Sequence, residues 1–424
     1  MRSGFIELMA GVLGGVVAST ALAAPANKAA MWQPEMSTPP GITLQFQGRA
    51  KTSSGFFAQG ETARGKVVAF GNAQGKTLYT FDGDLTPNTS LCFGECAVQW
   101  TPAVVQAGAK ASALWTIVAR EDGTKQWAYR GKPLYACAKD NELGQAKCNG
   151  SEGKWHTAVF SSTNTVERPP GIAIEYVPLA GGETLTNAAG LTLYVEVNEK
   201  KARAAGAHTF APVRAAALAQ PIGEFTVARA ADGNKQWAFR GKPLFTYAQE
   251  IEPSDAAGMK FEGWSPAVVL THFMPARAHT FRPVGHADVL ANAEGKTLYR
   301  RDVSYFVSTG HALARAVPTI PAVGRALGFA GCEGSCLDVW HPFVADKDAQ
   351  PSGFWEIVVR PEGTRQWVYQ GYPIFTYGND VKPGDLTGDG IYDPQVNDGT
   401  NRALPELVQT MNVWALYWAF LEPI

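Results

Sequence analysis

The chain has 424 residues, with 37 Lys and Arg against 38 Asp and Glu, so its formal net charge is -1. This balance excludes a strongly basic nucleic-acid-binding protein and charge-driven binding to an anionic membrane surface. A hydrophobic content of 46% supplies a sizeable core and argues against long disorder. The 44 Gly and 27 Pro residues, with an aromatic content of 11%, favour strands and turns over helices.

Residues 1–23 have the pattern of a secretory signal peptide. Arg2 precedes an apolar run from Leu8 to Leu22, and Ala21-Leu22-Ala23 has the A-x-A form of a cleavage site. The alternative, an uncleaved membrane anchor, needs about 20 apolar residues and no cleavage site. No later stretch is comparable, so we expect no integral membrane span after cleavage. We therefore expect a periplasmic or secreted protein, in a compartment where disulfides persist.

The remainder of the chain repeats itself three times. Residues 115–137, 225–247 and 355–377 align without a gap, and each contains Q-W-x-[YF]-x-G-x-P. A shared pattern at this spacing indicates three copies of one structural unit. The predicted segments are a flexible lead-in at 24–39, repeat 1 at 40–167, repeat 2 at 168–278 and repeat 3, with insertions, at 279–424.

Alternation of polar and apolar residues predicts antiparallel strands in each repeat. In repeat 1, residues 115–120 alternate, Asp122-Gly123 supplies a turn, and residues 125–130 alternate again, which is the pattern of a β-hairpin. We predict a mainly β fold of three tandem antiparallel β domains, each built from two meanders. The alternative is a six-bladed β-propeller made from the same six meanders.

Each repeat also contains two half-repeats that carry a Tyr-x4-Asp pattern or its remnant. In repeat 1 the pairs are Tyr79/Asp84 and Tyr135/Asp140. The corresponding residues are Tyr194, Glu199, Phe245 and Glu250 in repeat 2, and Tyr299, Ser304, Phe375 and Asp380 in repeat 3. A catalytic carboxylate would not tolerate replacement by Ser. We therefore interpret these positions as structural, with the ring in the core and the acid accepting hydrogen bonds from turn N–H groups.

Three features together resemble the bacterial secreted-repeat family of predicted lipoproteins that is defined by its Y-x4-D motif. They are the G-x-x-L-Y-x4-D half-repeat, a C-x3-C that precedes W-x-P, and the run Q-W-x-Y-x-G-x-P-L-Y. The resemblance extends over nearly all of the mature chain. It implies an exported protein whose biochemical role is unassigned. The first cysteine is Cys92, so no lipid-anchoring cysteine follows the predicted cleavage site.

The six cysteines are Cys92, Cys96, Cys137, Cys148, Cys332 and Cys336. Four cysteines in repeat 1 allow three pairings, whereas repeat 3 contains one C-x3-C alone. By analogy within the chain, each C-x3-C pairs internally, which leaves Cys137 for Cys148. A redox-active pair usually has C-x-x-C spacing and a zinc site needs four ligands. We therefore favour structural disulfides over redox or zinc chemistry.

Weak metal-ligand candidates lie in repeat 3 and in the lead-in. They are His341, the loop acids Asp385, Asp389 and Asp393, and the pair Met31 and Met36. The loop acids have part of the spacing of an EF-type calcium loop, but its last position is Val396 instead of Glu. Two Met side chains could hold Cu(I). We expect no cofactor, with calcium or copper as the alternative.

The repeats share their Trp, Gly and Pro positions but not their polar candidates, and catalysis needs a fixed polar constellation. We therefore expect no catalytic residues and interpret the chain as an exported, non-enzymatic repeat protein. It would bind a macromolecular partner or ligand at the cell envelope, and no nucleic acid. One alternative is a metal-binding or redox accessory protein of the periplasm, based on the C-x3-C loops and His341. Another is an envelope glycan hydrolase, based on aromatic and acidic content.

Overall fold

A computed structural model describes residues 34–47, 67–141, 144–160, 166–204, 209–283, 285–305, 332, 334–393, 413–421 and 423. The predicted signal peptide and Met31 lie outside these residues. The described part of the chain is mainly β with antiparallel sheets, which confirms the predicted fold class. Within the described ranges, no helix has the length and apolar character needed to cross a membrane.

The elements of the lead-in and repeat 1 are β1 (Glu35–Met36), β2 (Ile42–Gln47), β3 (Val67–Asn72), β4 (Leu78–Phe81), α1 (Glu95–Gln99), β5 (Trp100–Pro102), β6 (Trp115–Ala119), β7 (Lys125–Tyr129), β8 (Lys132–Pro133), β9 (Tyr135–Cys137) and β10 (Trp155–Thr157). Those of repeat 2 are β11 (Ile172–Val177), β12 (Gly182–Asn187), β13 (Leu193–Glu196), α2 (Glu199–Ala204), β14 (Phe210–Pro212), β15 (Phe225–Arg229), β16 (Lys235–Phe239), β17 (Lys242–Tyr247), β18 (Trp264–Pro266) and β19 (Val268–Thr271). Those of repeat 3 are β20 (Ala278–Phe281), β21 (Val289–Asn292), β22 (Leu298–Tyr305), β23 (Trp340–Pro342), β24 (Trp355–Val359), β25 (Arg365–Tyr369), β26 (Tyr372–Tyr377), β27 (Tyr392–Asp393) and β28 (Val413–Phe420).

The three repeats follow one plan. Each opens with a hairpin, β2–β3, β11–β12 or β20–β21, and later contains a second hairpin, β6–β7, β15–β16 or β24–β25. The second hairpin turns at the predicted position, where Gly123 has a φ of 80°, a conformation that glycine adopts without steric cost. The strand that follows pairs with two earlier strands: β9 with β4 and β5, β17 with β13 and β14, and β26 with β22 and β23.

Each repeat closes on itself, because its last segment returns to its opening hairpin. In repeat 1, Phe70 N donates a hydrogen bond to Ala158 O at 2.9 Å. In repeat 2, β19 pairs with β12. In repeat 3, Leu290 N donates to Leu421 O at 2.9 Å. These closures fall inside the predicted boundaries of the three repeats.

The repeats also share packing. One apolar core joins Leu78 and Trp127 of repeat 1 to Leu298, Trp355 and Trp367 of repeat 3. Repeat 2 has a further core of its own around Tyr194 and Trp264. The chain from Pro34 onward forms one compact unit, so separating repeats 1 and 3 would expose apolar surface.

The end of the predicted lead-in contacts all three repeats. β1 pairs in parallel with β19 of repeat 2, and Thr38 Oγ1 lies 3.0 Å from Ser352 Oγ of repeat 3. In repeat 1, Trp115 Nε1 donates to Ser37 O at 3.1 Å. Ser37 and Thr38 are fully buried. The C-terminal part of the predicted flexible segment, 24–39, therefore takes part in the fold.

Candidate functional site

Tyr and Asp of one Tyr-x4-Asp motif do not bond to each other. Tyr79 Oη donates to Asp140 Oδ2 at 2.6 Å, and Tyr135 Oη donates to Asp84 Oδ2 at 2.7 Å. Tyr79 and Tyr135 are opposite each other in the antiparallel pair β4–β9, so both rings lie on one face of the sheet. Each hydroxyl therefore reaches the loop that follows the other strand.

The second oxygen of each acid binds the backbone seven residues further along the chain. Asp84 Oδ1 accepts from Leu91 N at 2.8 Å, and Asp140 Oδ1 accepts from Lys147 N at 3.0 Å. The carboxylate therefore joins a buried ring to a loop. We call each set of tyrosine hydroxyl, carboxylate and loop a Tyr–acid clasp.

Repeats 2 and 3 each retain one Tyr–acid clasp. Tyr194 Oη donates to Glu250 Oε2 at 2.7 Å, and Tyr299 Oη donates to Asp380 Oδ2 at 2.6 Å. In repeat 3, Asp380 Oδ1 also accepts from Thr387 N at 3.1 Å. The hydrogen bond from the first tyrosine to the second acid thus occurs in all three repeats. In repeat 2, however, Glu250 Oε1 is buried without a hydrogen-bond partner among the described residues.

The clasp of the second tyrosine occurs in repeat 1 alone among the described residues. Phe245 and Phe375 lack the hydroxyl, and Glu199 and Ser304 stand where repeat 1 has Asp84. Ring hydroxyl and aspartate are thus replaced together. A buried carboxylate that loses its donor is costly. In repeat 3, Ser304 removes the carboxylate, and in repeat 2, Glu199 is exposed, so neither repeat buries an acid without its tyrosine.

Burial sets the protonation of the clasp groups. It raises the pKa of Tyr79 and Tyr135 far above their ordinary value, so both hydroxyls remain protonated and act as donors. Burial also raises the pKa of Asp84, although the Tyr135 hydrogen bond acts against it. In repeat 2, burial raises the pKa of Glu250 to about 7. A neutral Glu250 is therefore substantially populated near neutral pH.

A loop residue beyond the acid docks on a glycine turn of the opposite half-repeat. Asn88 N donates to Gly131 O at 2.7 Å, Ser254 N to Gly190 O at 3.0 Å, and Gly384 N to Gly295 O at 3.1 Å. The preceding prolines, Pro87, Pro253 and Pro383, pack against these glycines. A Cβ at Gly295 would lie 2.8 Å from Pro383 Cβ, so the close approach requires glycine.

Between the acid and the proline, three clasp loops expose an aliphatic side chain. Leu85 is 85% exposed, Ile251 is 83% exposed and Val381 is 77% exposed. Single exposed aliphatic residues are ordinary, but these three recur directly after the acids of three clasps. We call Leu85, Ile251 and Val381 the loop-tip residues.

Three regions of the chain, residues 61–104, 116–159 and 356–393, match one family, which is described as a secreted repeat of unknown function. These regions are similar to the repeat of that family and together cover less than half of the chain. The matched regions contain the clasp acids Asp84, Asp140 and Asp380. No curated protein and no solved structure matches the chain.

The six cysteines pair within repeats 1 and 3. Three sulfur pairs lie at disulfide distance: Cys92–Cys96 at 1.97 Å, Cys137–Cys148 at 1.90 Å and Cys332–Cys336 at 2.03 Å. The analogy within the chain favours the same three pairs. Sulfurs engaged in disulfides cannot serve as thiolate ligands of zinc.

A buried arginine binds each C-x3-C loop. Arg120 Nη2 donates to Cys92 O at 2.7 Å, and Arg360 Nη2 donates to Cys332 O at 2.9 Å. Each arginine also donates to the glutamine of the Q-W pair. Sequence reasoning missed these arginines. The available signal is that repeat 2, which lacks the cysteines, has Ala230 at the aligned position.

The metal-ligand candidates of repeat 3 do not form a metal-binding cluster among the described residues. Asp385 Oδ2 accepts from Val381 N at 2.9 Å and Lys382 N at 2.8 Å, so this carboxylate closes a turn. His341 lies on β23 opposite Thr376. No group of three or more His, Cys, Asp or Glu positioned for a metal occurs in the described ranges. The side chain of Asp393 is not among the side chains that the structure describes. Met36, in β1, is 39% exposed.

Recurring aromatic rings of the described residues lie in the cores of the repeats. Trp100 and Trp155 stack with centroids 3.7 Å apart, and Phe210 and Trp264 stack at 3.9 Å in repeat 2. All four rings are buried. Packing against each other, these rings stabilise the repeats and offer no platform for sugar stacking. A shallow cavity of about 140 Å³ beside Phe343 and Thr376 includes no clasp residue.

Proposed function

We propose that the protein is an exported, non-enzymatic binding protein that contacts a macromolecular partner at the cell envelope through its loop-tip residues. The observation that carries this proposal is the recurrence of Leu85, Ile251 and Val381, each at least 77% exposed, directly after a clasp acid. The partner would present an apolar surface, because exposed aliphatic side chains gain free energy mainly by being removed from water.

The contacts of the clasps support binding over catalysis. Asp380 Oδ2 accepts from Tyr299, and its Oδ1 accepts from both Thr387 N and Thr387 Oγ1. Asp84 likewise uses both oxygens within its clasp. A carboxylate engaged in this way positions a loop and is not free to transfer a proton to a substrate. In this chain, the Tyr-x4-Asp pattern therefore fixes the position of the loop that follows the acid.

The proposed compartment is the periplasm or the medium. Residues 1–23 carry the secretory pattern described above, and three cysteine pairs lie at disulfide distance. Disulfides persist in oxidising compartments. The description of the family as secreted supports the same location.

Site-directed photocrosslinking in intact cells tests the proposal. A benzophenone amino acid is placed in the full chain at Leu85, Ile251 or Val381, one position at a time, and the cells are irradiated. We expect the three positions to yield the same crosslinked partner. Leu218, which is 88% exposed but lies outside the clasp loops, is the matched control position. Equal crosslinking from position 218, or none from the three loop tips, would overturn the proposal.

A further inference from the structure

His272 lies where the three repeats meet. It directly follows β19, and its backbone N donates to Gly181 O at 2.9 Å. Its ring centroid is 6.4 Å from that of Phe160 in repeat 1, 5.4 Å from Tyr176 in repeat 2 and 5.9 Å from Phe354 in repeat 3. One imidazole therefore contacts an aromatic ring from every repeat.

The surroundings of this imidazole favour its neutral form. The ring stacks on Phe354 with an interplanar angle of 10°, and it meets Phe160 and Tyr176 edge to face. Nδ1 is buried and has no hydrogen-bond partner among the described residues. An imidazolium would need acceptors for two N–H groups, and Nδ1 has no acceptor within reach among the described residues. Burial lowers the pKa of His272 from 6.5 to about 4.

The charged groups near the junction do not compensate a proton on His272. The titratable or charged side chains on the elements packed around it are Tyr176, Tyr369, Glu35 on β1, Glu175 on β11, Glu183 on β12, Glu356 on β24, Asp288 with its partner Arg282, and Arg240, which donates to Val269 O of β19. Arg282 Nε donates to Asp288 Oδ1 at 2.7 Å, so this acid already has a cation. Glu35 Oε1 accepts from Leu114 N at 3.0 Å. Burial is the one cause that lowers the pKa of His272.

We propose that His272 is an acid-sensitive joint, at which uptake of one proton from solvent loosens the packing of the three repeats against one another. The imidazole gains the proton and no covalent bond breaks. His272 keeps some exposure to solvent, but its Nδ1 is shielded from water. To hydrate a proton on Nδ1, the charged ring must shift against Phe160, Tyr176 and Phe354, which belong to different repeats. The hydrogen bond from Ser37 N to Thr271 O, 2.9 Å long, is directly beside it. Movement of His272 therefore also strains the pairing of β1 with β19. This inference is independent of the proposed partner.

Scattering and spectroscopy on the full mature chain test the proposal. Small-angle X-ray scattering gives the radius of gyration between pH 7 and pH 3.5, and circular dichroism follows strand content in the same samples. We expect the wild type to expand as the pH falls from about 6.5 toward 4 while its β signal is retained, because over this interval the imidazole binds a proton in the open form but not in the closed form. The His272→Phe variant, which keeps an aromatic ring without a titratable nitrogen, should not expand in this range. His156→Phe is the matched control, because His156 is half exposed and pairs with Asp82 at the surface.

Two further measurements keep the proposal falsifiable if the His272→Phe variant folds poorly. In the wild type, an NMR titration of the histidine rings should assign a pKa about two units below the ordinary value to His272. A disulfide between cysteines introduced at Thr38 and Ser352, whose side-chain oxygens are 3.0 Å apart, should suppress the expansion with His272 intact. An ordinary pKa at His272 would overturn the proposal. So would equal expansion of the wild type, the His272→Phe variant and the variant with the introduced disulfide.

Discussion

Repeats 1 and 3 differ from repeat 2 in the segment that precedes β5 in repeat 1, β14 in repeat 2 and β23 in repeat 3. In repeats 1 and 3 a disulfide closes this segment, and a buried arginine, Arg120 or Arg360, binds the carbonyl of its first cysteine. In repeat 2, helix α2 occupies the interval and Ala230 replaces the arginine. The arginine is thus present where the disulfide loop is present. Its main role is to satisfy the loop, because the hairpin it lies on forms in repeat 2 without it.

The Tyr–acid clasps follow the same rule of joint replacement. Repeat 1 has two clasps, and repeats 2 and 3 have one each among the described residues. The missing clasp has lost both the hydroxyl and the aspartate. The second tyrosine hydroxyl and the first aspartate therefore change together, since an unpaired buried member of the pair costs about 1–3 kcal/mol.

The largest effect is expected for the buried arginine. Arg360→Ala leaves Cys332 O and Gln366 Oε1 without their charged donor, which should lower the free energy of unfolding by about 3–4 kcal/mol. Urea denaturation followed by tryptophan fluorescence measures the change. Arg229→Ala in repeat 2, where the guanidinium bonds Gly233 O at the surface, is the matched control and should cost less than about 0.5 kcal/mol. Equal losses from the two variants would contradict the assigned role.

A pH-dependent effect is expected for the clasp of repeat 2. Because the folded pKa of Glu250 is about 7, above that of an unfolded glutamate, the folded chain binds more protons between these two values. Stability should therefore fall as the pH rises from about 4.5 to 7, by up to about 3 kcal/mol at 1.36 kcal/mol per unit. Glu250→Gln, which keeps an acceptor for Tyr194, should remove this dependence and be more stable at pH 8. Asp380→Asn in repeat 3 is the comparison variant, and a gain of the same size there would contradict the argument.

The second clasp of repeat 1 should behave as a bonded set. Tyr135→Phe leaves the buried carboxylate of Asp84 short of a donor and should cost about 2 kcal/mol. The double variant with Asp84→Ser recreates the combination found in repeat 3, Phe375 with Ser304. We expect the double variant to lose less free energy of unfolding than the two single variants lose together. The difference, which is the coupling energy, should be about 1 kcal/mol. Additive losses in a double-mutant cycle would show that ring and acid are independent.

Local features of the fold were accessible from the sequence. The β6–β7 hairpin pairs Trp115 with Tyr129 around the predicted turn, because alternation and Asp-Gly act over a few residues. Such features depend on contacts that are close in sequence.

The reciprocal clasps could not be located in this way. Tyr79 and Asp140 are 61 residues apart, and their contact depends on the register of β4 against β9, which the half-repeat pattern does not specify. The sequence does contain a trace of it. Phe245 occurs with Glu199, and Phe375 with Ser304, so the second ring and the first acid change together. The burial of Ser37 and Thr38 could not be inferred from such a comparison, because these residues belong to the lead-in, which is not repeated in the chain.

The smallest effect is expected for the disulfide that distinguishes repeats 1 and 3 from repeat 2. The Cys332–Cys336 pair closes a sequence separation of only 4 residues, and short loops remove little entropy from the unfolded chain. Replacing both cysteines by Ser should therefore cost about 1–2 kcal/mol. Arg360 still binds the carbonyl at position 332 in this variant, so the loop keeps its main anchor. Thermal unfolding under identical buffer conditions measures the loss, and peptide mapping without reductant verifies that the other two pairs remain intact. If the double Ser variant loses more stability than Arg360→Ala, the disulfide and not the arginine is the principal anchor of the loop.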